Sequence, residues 1–264
     1  MKIASRDNEK LKFARRVRDG KESGFIFIEG KRLCLEAVQS GIPIEIIFAT
    51  EHFRESADEH LHDSANLFEI TEPLLDSIAD TQTPQGIVII ARRPADASID
   101  EFFTTSDVGL PLWIYLYKVS NPSNLGAVIR TAEAAGIRGV IVSEGSADPF
   151  SPKSVRASMG SLFRMPIISG VPTTDLINVA MEKGIRTAAV GADGKSNYLE
   201  VDWNVPTILI FGSEATGVPA DAKRVADESI MIPMNSSVES LNLAVSCGII
   251  LFEAVRKIRS SESG

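Results

Sequence analysis

The sequence predicts an α/β protein in two parts: a small α/β domain in front, and a larger domain built on a parallel sheet with helices on both faces. Two observations carry this. Short apolar runs alternate with stretches of helical period along most of the chain, as strands buried on both faces do. A polar segment at 92–111, RRPADASIDEFFTTSDVGLP, then breaks the rhythm and reads as a linker with one short element. The 264 residues, 44% of them hydrophobic, suffice for two cores. The expected division is 1–95, a linker at 96–110, and 111–264.

In the first part, a basic helix is expected at 8–18, ending at the Asp19-Gly20 break. FIFIEG (25–30) reads as a short buried strand, and KRLCLEAVQSG (31–41) as a helix stopped by Gly41. IEIIFAT (44–50) and GIVIIA (86–91) are further strands. In the second part six strands are expected: LWIYLYKV, GVIVSEG, RMPIISGV, RTAAVGA, PTILIFG and ESIMIPM. Helices are expected near 125–135, 152–159, 173–183 and 240–259.

Composition excludes a disordered tail, a collagen-like chain and a disulfide miniprotein. Net charge is −8, which excludes a uniformly basic nucleic-acid binder. The charge is unevenly spread, however. Residues 1–32 hold ten Lys/Arg against five acids, while the remaining 232 residues hold 17 against 30. Arg15, Arg16 and Arg18 on the first helix, with Lys31 and Arg32 beyond it, are candidate contacts to an anionic partner. A solvated basic helix is the plain alternative. Cys34 and Cys247 lie 213 positions apart in apolar segments and form no disulfide framework or metal site. The first residues lack an apolar signal core, and no run of 18 apolar residues occurs, so a reducing cytoplasm is the expected setting.

Three strand-end loops carry the candidate chemistry, because ligands of open parallel sheets gather beyond the carboxyl ends of strands. In SNPSNLGAVIRTAEAAGI (120–137), Asn124 can cap a helix, Gly126 permits close backbone approach and Arg130 follows on the first turns. That combination suits an anionic group, or is an ordinary capped helix with a solvated Arg. In ILIFGSEATGVP (208–219), a buried strand runs into Gly212, Ser213 and Glu214, then Gly217. This suits a ligand close to backbone, or a tight turn with an exposed acid. In IPMNSSVESLNLAVS (232–246), Ser236, Ser237, Ser240 and Asn242 precede the last helix, with Ser240 a natural N-cap. The same hydroxyls and amides suit recognition of a polar cofactor.

Other signals are set aside. GADGKS (191–196) lacks the first glycine of a phosphate-binding loop, since position 189 is Ala189. His52, His60 and His62 lie in an acidic stretch without a neighbouring Cys and read as a solvated loop. No G-x-G-x-x-G follows a strand, and no G-x-S-x-G occurs.

The three loops, in this order, resemble the motifs of the SpoU (TrmH) family of RNA ribose 2′-O-methyltransferases: NPSNLGAVIRTAEAAG, ILIFGSEATGVP and IPMNSSVESLNLAVS. SPKSVRASMGSLFRMPI (151–167) also resembles the family. The resemblance covers residues 112–260 well, and 20–91 more loosely resembles the substrate-binding domain many members carry in front. It implies a trefoil-knotted SPOUT domain, S-adenosylmethionine bound by the knot loops, an RNA substrate (ribosomal RNA favoured over tRNA) and a homodimer sharing its active sites. It implies neither membrane nor metal. By motif position Arg130, Asn124, Glu214, Ser240 and Asn242 take the catalytic places. Gly212, Glu214, Gly217, Ile232, Met234, Ser240 and Leu241 take the cofactor places, and Arg156 joins the basic front residues as an RNA contact. Two positions depart from the family: Asn121 stands where Asp is frequent, and Ser236 where Gly is common. The alternatives are a non-catalytic RNA-binding protein on a degenerate methyltransferase fold, and a metabolic α/β enzyme using another nucleotide.

Overall fold

The computed structural model describes residues 1–56, 66–95, 97–105, 108–213, 216–235 and 239–262. Contacts divide the chain into two units, Met1–Ala95 with Phe150–Phe163, and Asp96–Pro149 with Arg164–Gly264. Residues 150–163 thus pack with the first unit, although by sequence they fall within the stretch read as the second domain.

The first unit runs α1 (Glu9–Arg18), β1 (Phe25–Glu29), α2 (Lys31–Ser40), β2 (Ile44–Ala49), α3 (Glu51–Ser56), β3 (Leu67–Glu69), α4 (Glu72–Ile78) and β4 (Ile87–Arg92). Its sheet has the order β1-β4-β2-β3; β4 is antiparallel to both neighbours, and β2 and β3 are parallel. Asn8 caps α1 by accepting the Lys10 N–H. Leu11, Ala14 and Val17 of α1 and Leu74, Leu75 and Ile78 of α4 bury against Phe27, Phe48 and Ile90. α2 packs on β1, and so does α7 (Pro152–Ser158), which arrives from far along the chain. Gly160, at φ 93°, follows α7; a Cβ there would stand 2.9 Å from that of Glu36.

The second unit holds α5 (Ile99–Thr105), β5 (Leu110–Leu116), α6 (Pro122–Ala135), β6 (Ile137–Ser143), β7 (Ile167–Val171), α8 (Thr173–Lys183) and β8 (Arg186–Val190). It continues with β9 (Ser196–Asn197), β10 (Thr207–Phe211), α9 (Ala220–Val225), β11 (Glu228–Met231) and α10 (Leu243–Glu262). The sheet order is β7-β6-β5-β10-β8-β11-β9, and every pairing is parallel, as the unbroken apolar strands predict. Trp113 and Tyr115 turn to the face covered by α5 and α8, where Phe102, Phe103, Leu176 and Ile208 join them. α6 and α10 pack together, and α6 lies on β6. Order reverses at β5 and β10: β6 and β7 extend one way from β5, whereas β10 inserts between β5 and the earlier β8. Such a switch point is where a parallel sheet opens a crevice. No helix among the described residues is long and apolar enough to cross a membrane.

Candidate active site

The first loop leaves β5 through Lys118, a non-glycine at φ 47°, whose N–H donates to Ser143 Oγ at 2.8 Å. Asn121 caps α6 by accepting the Ser123 N–H at 2.9 Å, and Pro122 takes the first helical position. The sequence assigned that cap to Asn124, which instead lies in the helix, half-buried. Arg130 is exposed, six residues and about 120° further around α6.

The third loop supplies Asn124's partner. Asn242 Nδ2 donates to Asn124 Oδ1 at 3.1 Å. Its Oδ1 accepts the N–H groups of Ala244 at 2.9 Å and Val245 at 3.3 Å. Asn242, and not Ser240, is therefore the cap of α10, and one amide both starts that helix and ties it to α6.

The second loop is set by close backbone approach. A Cβ on Gly212 would stand 1.8 Å from the carbonyl carbon of Gly217 and 2.0 Å from the Val218 nitrogen, so no side chain fits. The Gly217 N–H returns to the Ser213 carbonyl at 2.9 Å, closing the turn. Glu214, Ser236 and Ser237 lie outside the described residues, as do His60 and His62.

The second and third loops, with the loop after β8, border a cavity of about 640 Å³ at the carboxyl ends of β8, β10 and β11, within the usual range for small-molecule sites. Gly212, Gly217, Ile232, Met234, Ser240 and Leu241, all expected at the cofactor, line it, and Asn242 does too. Arg130 and Asn124 are not among its lining residues. Its wall also holds Asp193 and Lys223, with Lys223 Nζ 2.7 Å from both carboxylate oxygens; that contact holds the Asp193 carboxyl below its ordinary range. Sequence reasoning missed both residues. Asp193 lies in GADGK, which fails as a phosphate loop and yet lends Gly191, Ala192 and Asp193 to the wall, whereas no pattern in the sequence marked Lys223. Cys34 and Cys247 are fully buried, and burial pushes both thiols up, so neither is a poised nucleophile. No cluster of metal-ligating side chains occurs among the described residues.

The basic residues of the first unit carry structural bonds. Arg15 donates to the Arg6 carbonyl and Arg16 pairs with Glu22 at 2.7 Å. Arg18 Nη1 reaches the Ile78 and Ala79 carbonyls at 3.3 and 3.0 Å, ending α4. Arg156 pairs with Asp80 at 2.5 Å. Lys31 and Arg32 stand exposed at the start of α2.

Residues 111–252 match the model of the SpoU rRNA Methylase family, and 8–89 that of the MRM3-like substrate binding domain. The chain is 28% identical to the 23S rRNA (guanosine(2553)-2′-O)-methyltransferase of Bacillus subtilis, over 95% of this chain and 97% of that one. It is 30% identical to the 23S rRNA (uridine(2479)-2′-O)-methyltransferase of Streptomyces viridochromogenes, over 89% and 84%. Among solved structures, an AdoMet-bound rRNA methyltransferase from Sinorhizobium meliloti superposes with TM-score 0.83 at 30% identity, covering 98% of each chain. The S. viridochromogenes SpoU methyltransferase AviRb, in complex with AdoMet, gives 0.84 at 26% identity over 96% of this chain and 99% of that one. The family match takes in more than half of the chain and all three strand-end loops, and this protein belongs to the SpoU rRNA methylase family.

Proposed function

We propose that this protein is an S-adenosylmethionine-dependent RNA methyltransferase acting on a ribose 2′-hydroxyl, in ribosomal RNA rather than tRNA. One observation carries the reading: Asn242, on the cavity wall, bonds directly to Asn124, on the helix that bears Arg130. The cavity suits the cofactor. Phe211, Val218, Ile232 and Leu241 offer apolar surface for a base, and Asp193 and Glu239 outnumber Lys223 beside a cationic sulfonium. The preference for ribosomal RNA rests on full-length relatives whose named substrate is 23S rRNA.

When bound, the cofactor supplies an already activated methyl group, so the chain's work is positioning and charge control. Arg130 stabilises the developing 2′-alkoxide and grips a neighbouring phosphate; with a pKa above about 12, a guanidinium is a poor base. Asn242 holds Asn124 against the lip of the site. Lys31, Arg32 and Arg156 contact RNA in the first unit.

The reading includes a second copy of the chain and a cytoplasmic setting, where the RNA is found. Val245 and Phe252, each 51% exposed and two turns apart on α10, form an apolar stripe for that copy. Because Arg130 faces away from Asn124 on α6, the partner supplies the Arg that completes each site. The trefoil crossing follows from the same family reading.

Arg130→Ala is expected to keep cofactor affinity while methyl transfer to ribosomal RNA falls by about 10³ or more. Near-normal turnover would remove Arg130 from the mechanism. Mapping 2′-O-methyl sites in RNA from cells with and without the gene identifies the nucleotide. A non-catalytic RNA binder would give no heat on titration with S-adenosylmethionine.

A further inference from the structure

We propose that Asp193, clamped by Lys223, is the group that recognises the ribose hydroxyls of the cofactor. The inference rests on the methyltransferase reading and names a contact within its cofactor site.

The loop after β8 is firmly placed. Its Gly191 N–H bonds the Ile230 carbonyl at 3.0 Å, Gly194 N–H returns to the Gly191 carbonyl at 3.2 Å, and Lys195 N–H bonds Ser229 at 2.9 Å. A Cβ on Gly194 would stand 2.3 Å from the Ile230 carbonyl carbon, so this loop lies flat against the end of β11. Those three N–H groups are consumed by the protein, and the charged group this loop puts on the cavity wall is the Asp193 carboxylate.

That carboxylate is turned over the strand end. A Cβ on Gly191 would meet Asp193 Oδ1 at 2.7 Å and Lys223 Nζ at 3.5 Å, so the ion pair packs directly across the glycine. Both partners line the cavity. Lys223 Nζ sits 2.7 Å from each oxygen, which fixes the carboxylate plane and keeps it ionised. A carboxylate has about four lone-pair directions; an ammonium equidistant from both oxygens takes the two inner ones and leaves one outward, diverging direction on each. An outward acceptor on so exposed a carboxylate suits a hydroxyl donor, the chemistry by which an acid beyond a strand's carboxyl end holds a ribose in other α/β folds. The Asp193 side chain is 69% exposed and that of Lys223 29%, so the acid is the accessible partner and the lysine its support.

Calorimetric titration tests this with S-adenosylhomocysteine, its 2′-deoxy and 3′-deoxy ribose analogues, and decarboxylated S-adenosylmethionine beside S-adenosylmethionine. The full chain is used as wild type, Asp193→Ala, Asp193→Asn and Lys223→Met, with ligand-free melting temperatures as the folding check. Wild type is expected to prefer the complete ribose by about tenfold or more. Asp193→Ala should bind S-adenosylhomocysteine about tenfold or more weakly and lose that preference, and Asp193→Asn should reduce it without altering side-chain shape. Lys223→Met should keep a weaker ribose preference. Full ribose preference in Asp193→Ala overturns the proposal. So does a Lys223→Met variant whose sole loss is discrimination against the decarboxylated ligand, because the lysine would then be the contact. A wild type that binds S-adenosylhomocysteine without regard to its ribose hydroxyls overturns this proposal alone. A wild type that binds none of the ligands overturns the methyltransferase reading and this proposal together.

Discussion

The carboxyl ends of strands are treated oppositely in the two units. In the first unit, β1 ends at Glu29, only 5% exposed, which accepts the N–H groups of Asp80 and Thr81 at 2.8 and 3.2 Å and also the Thr81 hydroxyl. The Lys31 N–H is taken by Gln85 Oε1 at 3.0 Å, and Asp80 takes Arg156. The corner is filled from within, and its outward face presents the cations of Lys31 and Arg32. In the second unit, β8 and β10 end in glycines whose side-chain space is occupied by neighbouring groups, leaving a cavity beside them. One α/β layering thus produces a closed surface that can read charge and shape, and an open crevice that can enclose a small molecule.

Three variants test that contrast, in order of expected effect. Gly212→Ala drives a methyl into the Gly217 backbone, and cofactor affinity should fall by about 100-fold or more in a calorimetric titration. RNA affinity of the same variant should stay near wild type; an equal loss of both would dissolve the distinction between the two surfaces. Glu29→Gln removes the charge that gathers the 80–81 backbone, at a cost of about 1–3 kcal/mol. A melting point lower by roughly 2–8 °C with unchanged cofactor affinity is expected, and a stability equal to wild type would show the corner to be slack. The double change of Lys31→Ala and Arg32→Ala should weaken RNA binding modestly and lower the slope of affinity against salt by about 1–2, read by filter binding across a salt series. Removing α1 would be a poor probe of the basic edge, because Leu11, Ala14 and Val17 belong to the core of the first unit.

Much of the fold was legible because it follows from periodicity. The strands at 112–119, 186–192 and 206–212 were expected from apolar runs, and parallel pairing from their lack of alternation. The short β3 and the two-residue β9 escaped, having too few residues to show a period. α4 escaped as well, a single seven-residue stretch with Pro73 in its first turn. The caps were misread by three residues at α6 and two at α10, since several Asn and Ser near each start could satisfy the first N–H groups. The basic edge was legible as charge, whereas the use of Arg18 as a stop for α4 depends on a carbonyl sixty residues away.

The sequence by itself determined most of the strands and the longer helices, that the larger sheet is parallel, and which three loops carry its polar and glycine residues. Those properties are local, written in spacing and side-chain type. Only the tertiary structure decided that Asn242 bonds Asn124, that Lys223 clamps Asp193 on the cavity wall, and that residues 150–163 pack with the first unit. The reason is physical: each of these depends on where the chain returns after long separations in sequence. Hydrogen bonds of about 3 Å are set by the packing of whole elements, to which local pattern is blind.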